Sequence, residues 1–529
     1  MSHATPETQQ TLKGFAAQFP RNLAANIAYF LVNVVIGLLL VPYFIDTLGV
    51  AAYGIIPLAT SVTGYVAIVV QSLNAAVSRF LTIDLQQEDY VAANKTFNTA
   101  FFGLTVVILL MVPIIFLIAW FVPSIFNVPT GQETGTILLF LGVSAAAMIR
   151  AWSGNFTVQI FAYNRLDLQN LVNLTNLVAQ TGLIIFFFTL FGPNLALVGG
   201  AHLAGAIMAS GASVVLARRI CPHLSISLRS FDRSKVKDLC SLGCWGVVDQ
   251  IGSFLLLQID LIVVNLLFGT IAAGEYAIAL QWGILLRSIA GTLTGVLVPT
   301  ILAYYALEQT ETLIGLTQGA IKFMGLAMAL PTGLICGFAP QLLTIWVGAE
   351  HASLAPLVVL LTAHLAINMS ILPLFSVNAA YNRIRIPGIV TILLGGANLI
   401  LAIAIPLMTG WGYYGVAVAG VLILTFRHVL FIPWYTAKIL NIRMTTYIKP
   451  LLHGTLAVLL LGGAAAGITV ATPLPSFLTL VIAVPVISLM YGIMVLRFGL
   501  TSFEKQLFES YLPQGWRKFY ETARSDNNN

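Results

Sequence analysis

The sequence predicts an all-α integral membrane protein, and three observations carry that prediction. First, the 529 residues are 58% hydrophobic and only 8% charged, where a globular domain is roughly a quarter charged, and the mean hydropathy is +0.93. Second, apolar runs of roughly 20 residues, long enough to cross a bilayer as helices, recur about fourteen times. Third, Lys and Arg outside those runs are sorted onto alternate connections. Asp46–Gly49, Val122–Glu133, Gly192–Asn194, Gly269–Gly274, Ala339–Ser353, Thr409–Gly412 and Thr472–Pro475 contain neither residue. The intervening connections carry Arg79 and Lys95, then Arg165, then Arg218, Arg219, Arg229, Arg233, Lys235 and Lys237. Later ones carry Lys322, then Arg383 and Arg385, then Lys438, Arg443 and Lys449. Basic loops stay cytoplasmic during insertion, so the alternation sets an orientation with both ends in the cytoplasm of a cell inner membrane.

The segments are expected to begin near Leu23, Ala51, Phe97, Thr136, Leu168, Leu195, Leu239, Tyr276, Gly315, Leu354, Pro387, Tyr413, Leu451 and Phe477. Residues 1–22 are polar, lack an apolar core and a small-residue cleavage site, and read as a cytoplasmic segment and not a cleaved signal. Residues 23–217 hold six helices. Residues 218–238, basic and containing Cys221-Pro222 and several serines, read as an inter-lobe linker. Residues 239–437 hold six more helices and residues 438–496 a terminal pair. Residues 497–529 form an amphipathic, mixed-charge tail expected on the cytoplasmic surface. The net charge of +6 is anchoring toward anionic lipid, with no nucleic-acid partner implied.

The chain looks duplicated. Gly49 and Gly54 in the first hairpin recur as Gly269 and Gly274, 220 positions on. Ala162-Tyr163-Asn164-Arg165 after the fourth helix recurs as Ala380-Tyr381-Asn382-Arg383 after the tenth, 218 positions on. Pro123 and Pro340 fit the same offset loosely. Repeats of like orientation are related by an axis along the membrane normal, with the substrate route between them.

This layout resembles the multidrug and oligosaccharidyl-lipid flippase superfamily, and within it the polysaccharide and O-antigen flippase family. The residues that carry the likeness are Asn26–Gly54, where a Leu-Gly-x-x-x-Tyr-Gly hairpin follows helix one, Ser72–Phe80 ending helix two, the two Ala-Tyr-Asn-Arg turns, and Pro340–Glu350. It covers roughly Phe19 to Arg497. The resemblance implies two bundles forming a V around a central cavity. It implies an undecaprenyl-pyrophosphate-linked oligosaccharide, or an analogous polyprenyl-linked glycan, moved from the cytoplasmic to the outer leaflet, with a glycan polymerase and glycosyltransferases as partners.

Charge inside the hydrocarbon costs about 2.5–3.5 kcal/mol even on lenient scales, which makes intramembrane ions functional candidates. Arg150 in helix four, Arg287 in helix eight and Arg427 in helix twelve are the candidate substrate-binding residues. A guanidinium on each lobe would grip a pyrophosphate from both sides, since its planar fork matches phosphate oxygens. Asp249 and Asp260, eleven residues apart and so on one face of helix seven, are candidates for ion coupling together with His364. The coupling ion is Na⁺ or a proton. The plainer reading of Arg287 with these carboxylates is an ion pair that locks the hairpin. Arg21, Arg79, Arg165 and Arg383 stand at the cytoplasmic ends. They anchor the interface or form a basic entrance for an anionic headgroup.

Other chemistries find little support. The Walker pattern GxxxxGK[ST] is absent, so ATP is not the direct energy source. Cys240 and Cys244 share a helix face, but no His or second Cys pair completes a metal site, and no cofactor is expected. The outer connections are short and carry only Asp46, Glu133, Glu275 and Glu350 as charges, which argues against an enzyme such as a glycosyltransferase or ligase. A multidrug cation exporter would want an acidic or apolar cavity, whereas the deep charges here include three arginines. A lipid II flippase remains compatible with fourteen helices and cavity arginines. Trp411-Gly412-Tyr413-Tyr414 and Trp434-Tyr435 read as aromatic belts, and Gly462–Gly467 as a surface for close helix packing.

Overall fold

The computed structural model describes residues 6–471 and 476–499 and is helical throughout, with no strand among them. The helices are α1 (Pro6–Leu48), α2 (Val50–Gln86), α3 (Tyr90–Ile125), α4 (Glu133–Ala162), α5 (Leu166–Phe191), α6 (Leu195–Ile220), α7 (Arg233–Leu257), α8 (Ile259–Ala306) and α9 (Thr310–Gly337). There follow α10 (Ala339–Val347), the contiguous pieces α11 (Ala355–Ala363), α12 (Leu365–Ser370) and α13 (Leu372–Ala380), and α14 (Arg385–Thr409). Next, α15 (Tyr413–Thr425) and α16 (Ile432–Ile439) are joined by a π-helical turn, Phe426–Phe431. Last come α17 (Thr445–Ile448), α18 (Leu451–Ala471) and α19 (Ser476–Met494). Among the described residues twelve stretches are long and apolar enough to cross a membrane. Adding α2 and α7, which are of spanning length but fall outside that count, gives the fourteen expected.

The element ends refine the expectations. Helix α1 begins at Pro6, not Leu23, so most of the polar N-terminal stretch extends the first helix. The seventh segment is interrupted at Gln258, whose φ of −121° separates α7 from α8. The one-face argument for Asp249 and Asp260 presumed an unbroken helix there. The connection Thr472–Pro475 and the tail from Thr501 lie outside the described residues.

The duplication is written into the turns. Gly49 and Gly269 share a backbone conformation, φ 82° with ψ 161° and φ 87° with ψ −173°, open only to a residue without a Cβ. Asn164 (φ 54°) and Asn382 (φ 53°) close their helices in the left-handed region. In each case the two following bonds are those of a Schellman motif: Asn164 N–H to Phe161 O with Arg165 N–H to Ile160 O, and Asn382 N–H to Ala379 O with Arg383 N–H to Asn378 O. A further pair, Glu88 (φ 58°) and Glu308 (φ 57°), stands 220 positions apart and makes the same two bonds. The second glycines of the two hairpins, Gly54 and Gly274, also meet. A Cβ on Gly54 would meet Gly274 N at 2.6 Å, so only glycine lets these backbones touch.

Two compact units result. The first comprises Met1–Ile278 with Arg385–Ile423, the second Ala279–Ile384 with Leu424–Asn529. The division passes through α8 and α15. In the first unit α4 packs on α6 through Gly142 against Gly199 O, and α5 lies against α6 through Gly205, which faces Asn176 O and Gln180. In the second, Gly333 and Gly337 of α9 receive Leu461, Gly462 and Ala465 of α18, the close packing expected of that small-residue run.

Candidate functional site

Within the first unit, α1, α4, α5 and α6 enclose a polar cavity of about 290 Å³. Tyr29 and Asn33 reach it from α1, Arg150, Ser153 and Thr157 from α4, and Asn173, Asn176 and Gln180 from α5. Arg150 is the charged residue of the lining. The geometry follows from helical spacing. Asn22, Asn26 and Asn33 recur on one side of α1, and Asp167, Asn170, Asn173, Asn176 and Gln180 at steps of three and four along α5. The two rows face each other: Gln18 donates to Asp167 (3.0 Å), Asn22 donates to Asn164 O (2.9 Å), and Asn170 hydrogen-bonds Asn26. A polar seam therefore runs from one end of the unit into the cavity.

At its far side, His202 holds Gln180. Val198 O can only accept, so the 2.9 Å contact puts the proton on His202 Nδ1. His202 Nε2 then accepts from the Gln180 amide at 2.8 Å, which fixes the remainder of that amide toward the cavity. Asn176 Oδ1 is buried without a hydrogen-bond partner.

Asp260, buried, forms a second polar site in the same unit. Asn398 Nδ2 of α14 donates to its Oδ1 at 3.1 Å, and the Tyr276 hydroxyl donates to its Oδ2 at 3.3 Å. The absent side chain of Gly420 leaves room, since a Cβ there would come within 3.0 Å of Oδ2. Asn398 Oδ1 is buried with no hydrogen-bond partner. Of its expected companions, Asp249 has its side chain outside the described residues, and His364 belongs to the second unit.

That unit gathers cations. His364 lies in the field of Arg287, and His428 in those of Arg427, His364 and Arg287. The Arg427 guanidinium sits 5.1 Å over the Phe375 ring, which packs at 5.7 Å against His428. Arg427 and His428 stand in the π-helical turn, where Ile432 N–H bonds Arg427 O five residues back. Pro433, with no N–H to offer Val429 O, makes that shift cheap. His364 anchors through Nδ1 to Leu360 O (3.3 Å) while Nε2 is buried without a partner. The acidic residues in the described part of the unit are Glu308, Glu311 and Glu350, each at a helix end.

The expected entrance residues separate. Arg21 Nε pairs with Asp167 Oδ2 at 2.8 Å, and Arg165 Nε with Asp167 Oδ1 at 3.0 Å, so one carboxylate holds both guanidiniums. That bond to Asp167 is also the main reason Arg165 titrates above its ordinary value. Arg383 is exposed beyond the Asn382 turn, and the Arg79 side chain lies outside the described residues. Near this basic end the linker is clamped to α3. Asn94 donates to His223 O (2.9 Å) and accepts from Ser225 N (3.0 Å). Asn98 donates to Ser225 O (2.9 Å) and accepts from Ser227 N (2.7 Å).

Sequence reasoning found Arg150 and Asp260 but passed over Asn33, Asn173, Asn176, Gln180 and Asn398. Their signal was amides recurring at helical spacing in apolar segments, beside which the ions drew the attention. Cys221 is a buried free thiol, and among the described residues no group of His, Cys, Asp and Glu could hold a metal. The Cys240 and Cys244 side chains lie outside the described residues.

A family described as "Polysaccharide biosynthesis protein" matches residues 20–305. A Bacillus subtilis (strain 168) protein described as "Uncharacterized membrane protein EpsK" is 28% identical over 490 residues, which is 93% of this chain and 97% of that one. Among solved structures, the lipid II flippase MurJ in an inward closed conformation superposes with a TM-score of 0.60 at 13% identity, over 90% of this chain and 98% of that one. An inward-facing multidrug resistance MATE family transporter of the MOP superfamily gives 0.58 at 16% identity, over 82% and 96%. At those identities the likeness is one of fold.

Proposed function

We propose that this chain, which belongs to the polysaccharide biosynthesis protein family, is a flippase for a polyprenyl-pyrophosphate-linked oligosaccharide. It carries that substrate from the cytoplasmic to the outer leaflet of the cell membrane by ion-coupled alternating access. The observation that carries the reading is the cavity of the first unit: a polar space of about 290 Å³ inside a membrane bundle, with Arg150 as its charged wall residue. A guanidinium there recognises a substrate that is anionic and polar at once, as the pyrophosphate-sugar head of such a lipid is. A cationic drug would be repelled, which sets aside the exporter reading despite the shared fold. Lipid II, the substrate in the name of the MurJ neighbour, has the same kind of head and remains the second reading.

Arg287 and Arg427 give the second unit a cationic interior suited to the same anion. Asp260 with Asn398 offers carboxylate and amide oxygens to Na⁺ or a proton. The chemistry is carriage, with no bond made or broken. The sorted cations support cytoplasmic termini, and the basic end at Arg21 and Arg165 is then where the lipid head enters.

The test is translocation of a fluorescent undecaprenyl-pyrophosphate glycan in proteoliposomes, beside lipid extraction from cells. Arg150→Ala and Arg287→Ala should each lower the rate by about a hundredfold, as loss of a charge-assisted phosphate contact worth about 2–3 kcal/mol would do. Both variants should insert normally, and cytoplasmic-facing lipid-linked glycan should accumulate in cells. Wild-type translocation by Arg150→Ala would remove the cavity from the pathway.

A further inference from the structure

The geometry points to the amide row of α5, at Asn173, Asn176 and Gln180, as the surface that reads the sugar ring next to the pyrophosphate. This inference rests on the carrier function proposed above and assigns the cavity's polar wall a ligand of its own.

The argument is one of donors and acceptors. A phosphate oxygen can only accept hydrogen bonds, so Arg150 alone would satisfy it. The opposite wall is not built for an acceptor-only ligand. Asn176 Oδ1 is a buried acceptor with no partner. Gln180 spends an amide N–H on His202 Nε2, so that its carbonyl remains for the cavity. Asn176 Oδ1, buried in a bilayer interior, carries a desolvation cost until a donor arrives. Sugar hydroxyls donate and accept together, and a hexose ring presents several at fixed angles. The N–H groups of Asn173 can donate, while Ser153 and Thr157, whose hydroxyls donate to Arg150 O and Gly154 O, offer acceptor oxygens. Together they complete a mixed set that a polyol satisfies and a bare diphosphate does not. The lining carries no carboxylate, so the ring is read through hydroxyls and amides and not through a charge. Gly205 is part of the device: a Cβ there would come within 3.1 Å of Asn176 O and Gln180, and would press on the row where it meets α6.

The full-length protein in nanodiscs should be titrated calorimetrically with citronellyl diphosphate, and with the same diphosphate bearing glucose, galactose or N-acetylglucosamine. At least one sugar should raise affinity by about tenfold or more over the bare diphosphate, the yield of hydrogen bonds to the Asn176 and Gln180 carbonyls. Asn176→Leu and Gln180→Leu should abolish that increment while keeping affinity for the bare diphosphate within about twofold, and Arg150→Ala should weaken every probe. Asn173→Ala, on a more open wall position, reports the same loss should either leucine variant not fold. No increment for any sugar in the wild type, or an increment that survives all three amide variants, overturns the inference. Translocation in proteoliposomes separates the two readings: transport without the increment leaves the carrier standing and removes the sugar subsite. An increment without transport does the reverse.

Discussion

At Asp260 the two carboxylate oxygens have different neighbours, an amide N–H on Oδ1 and a phenol O–H on Oδ2. Both stabilise the anion, yet the adjoining Asn398 Oδ1 is an acceptor that gains nothing from it. A cation or a proton placed between the carboxylate and that amide satisfies both oxygens. Asp260→Asn keeps the shape and the Tyr276 bond while removing the charge. It should lower gradient-driven translocation by about tenfold or more and erase its dependence on the driving ion, at a stability cost of only about 1 kcal/mol. Parallel assays under Na⁺ and proton gradients read this, and a variant still accelerated by the wild-type ion would place coupling elsewhere. Residues of this kind were half legible. A carboxylate in an apolar helix announces itself, since its burial is expensive. Its partner Asn398, a neutral amide 138 positions away, carries no such mark until the helices are packed.

Elements were legible where one physical rule dictated the sequence. Sorted cations and apolar runs marked fourteen spans, and the hairpin glycines stood out because their backbone excludes every other residue. Glu88 and Glu308 were missed for the converse reason. Their left-handed turns are made by backbone bonds that glutamate tolerates but does not advertise. The π-helical turn at Phe426–Phe431 was equally hidden, since Pro433 alone marks many kinks. In sequence the linker reads only as a basic inter-lobe connection, and the structure adds that Asn94 and Asn98 pair with alternate residues of its backbone as a neighbouring strand would. Four bonds at about 1 kcal/mol each hold it. Asn94→Ala with Asn98→Ala should therefore cost about 2–4 kcal/mol locally, and speed tryptic cleavage at exposed Arg229 by tenfold or more without changing cleavage elsewhere. Unchanged cleavage kinetics would mean that the linker is held by other contacts.

For the molecule as a whole, the direction of transport depends on which turns face the cytoplasm. The turns at Asn164 and Asn382 lead into Arg165 and Arg383, and the turn at Glu88 lies between Arg79 and Lys95, whereas those at Gly131 and Gly348 have no Lys or Arg. The turn at Glu308 repeats that at Glu88 but carries no cation of its own, since Lys322, expected on that connection, falls inside α9. Moving a cation-rich loop outward during insertion is opposed loop by loop, so the sorting acts cumulatively and leaves one orientation. Under the function proposed above, that orientation would put Arg21 and Arg165 on the cytoplasmic side and give an anionic lipid head a basic approach. In a background lacking Cys221, Cys240, Cys244 and Cys336, a membrane-impermeant maleimide should label Thr130→Cys and Glu350→Cys in intact cells. Glu88→Cys and Gln309→Cys should react only after permeabilisation, by a factor of about ten or more, the contrast a sealed bilayer sustains. The inverse pattern would reverse the proposed vector. A mixed pattern within either pair would break the equivalence of the two repeats that the shared turns imply.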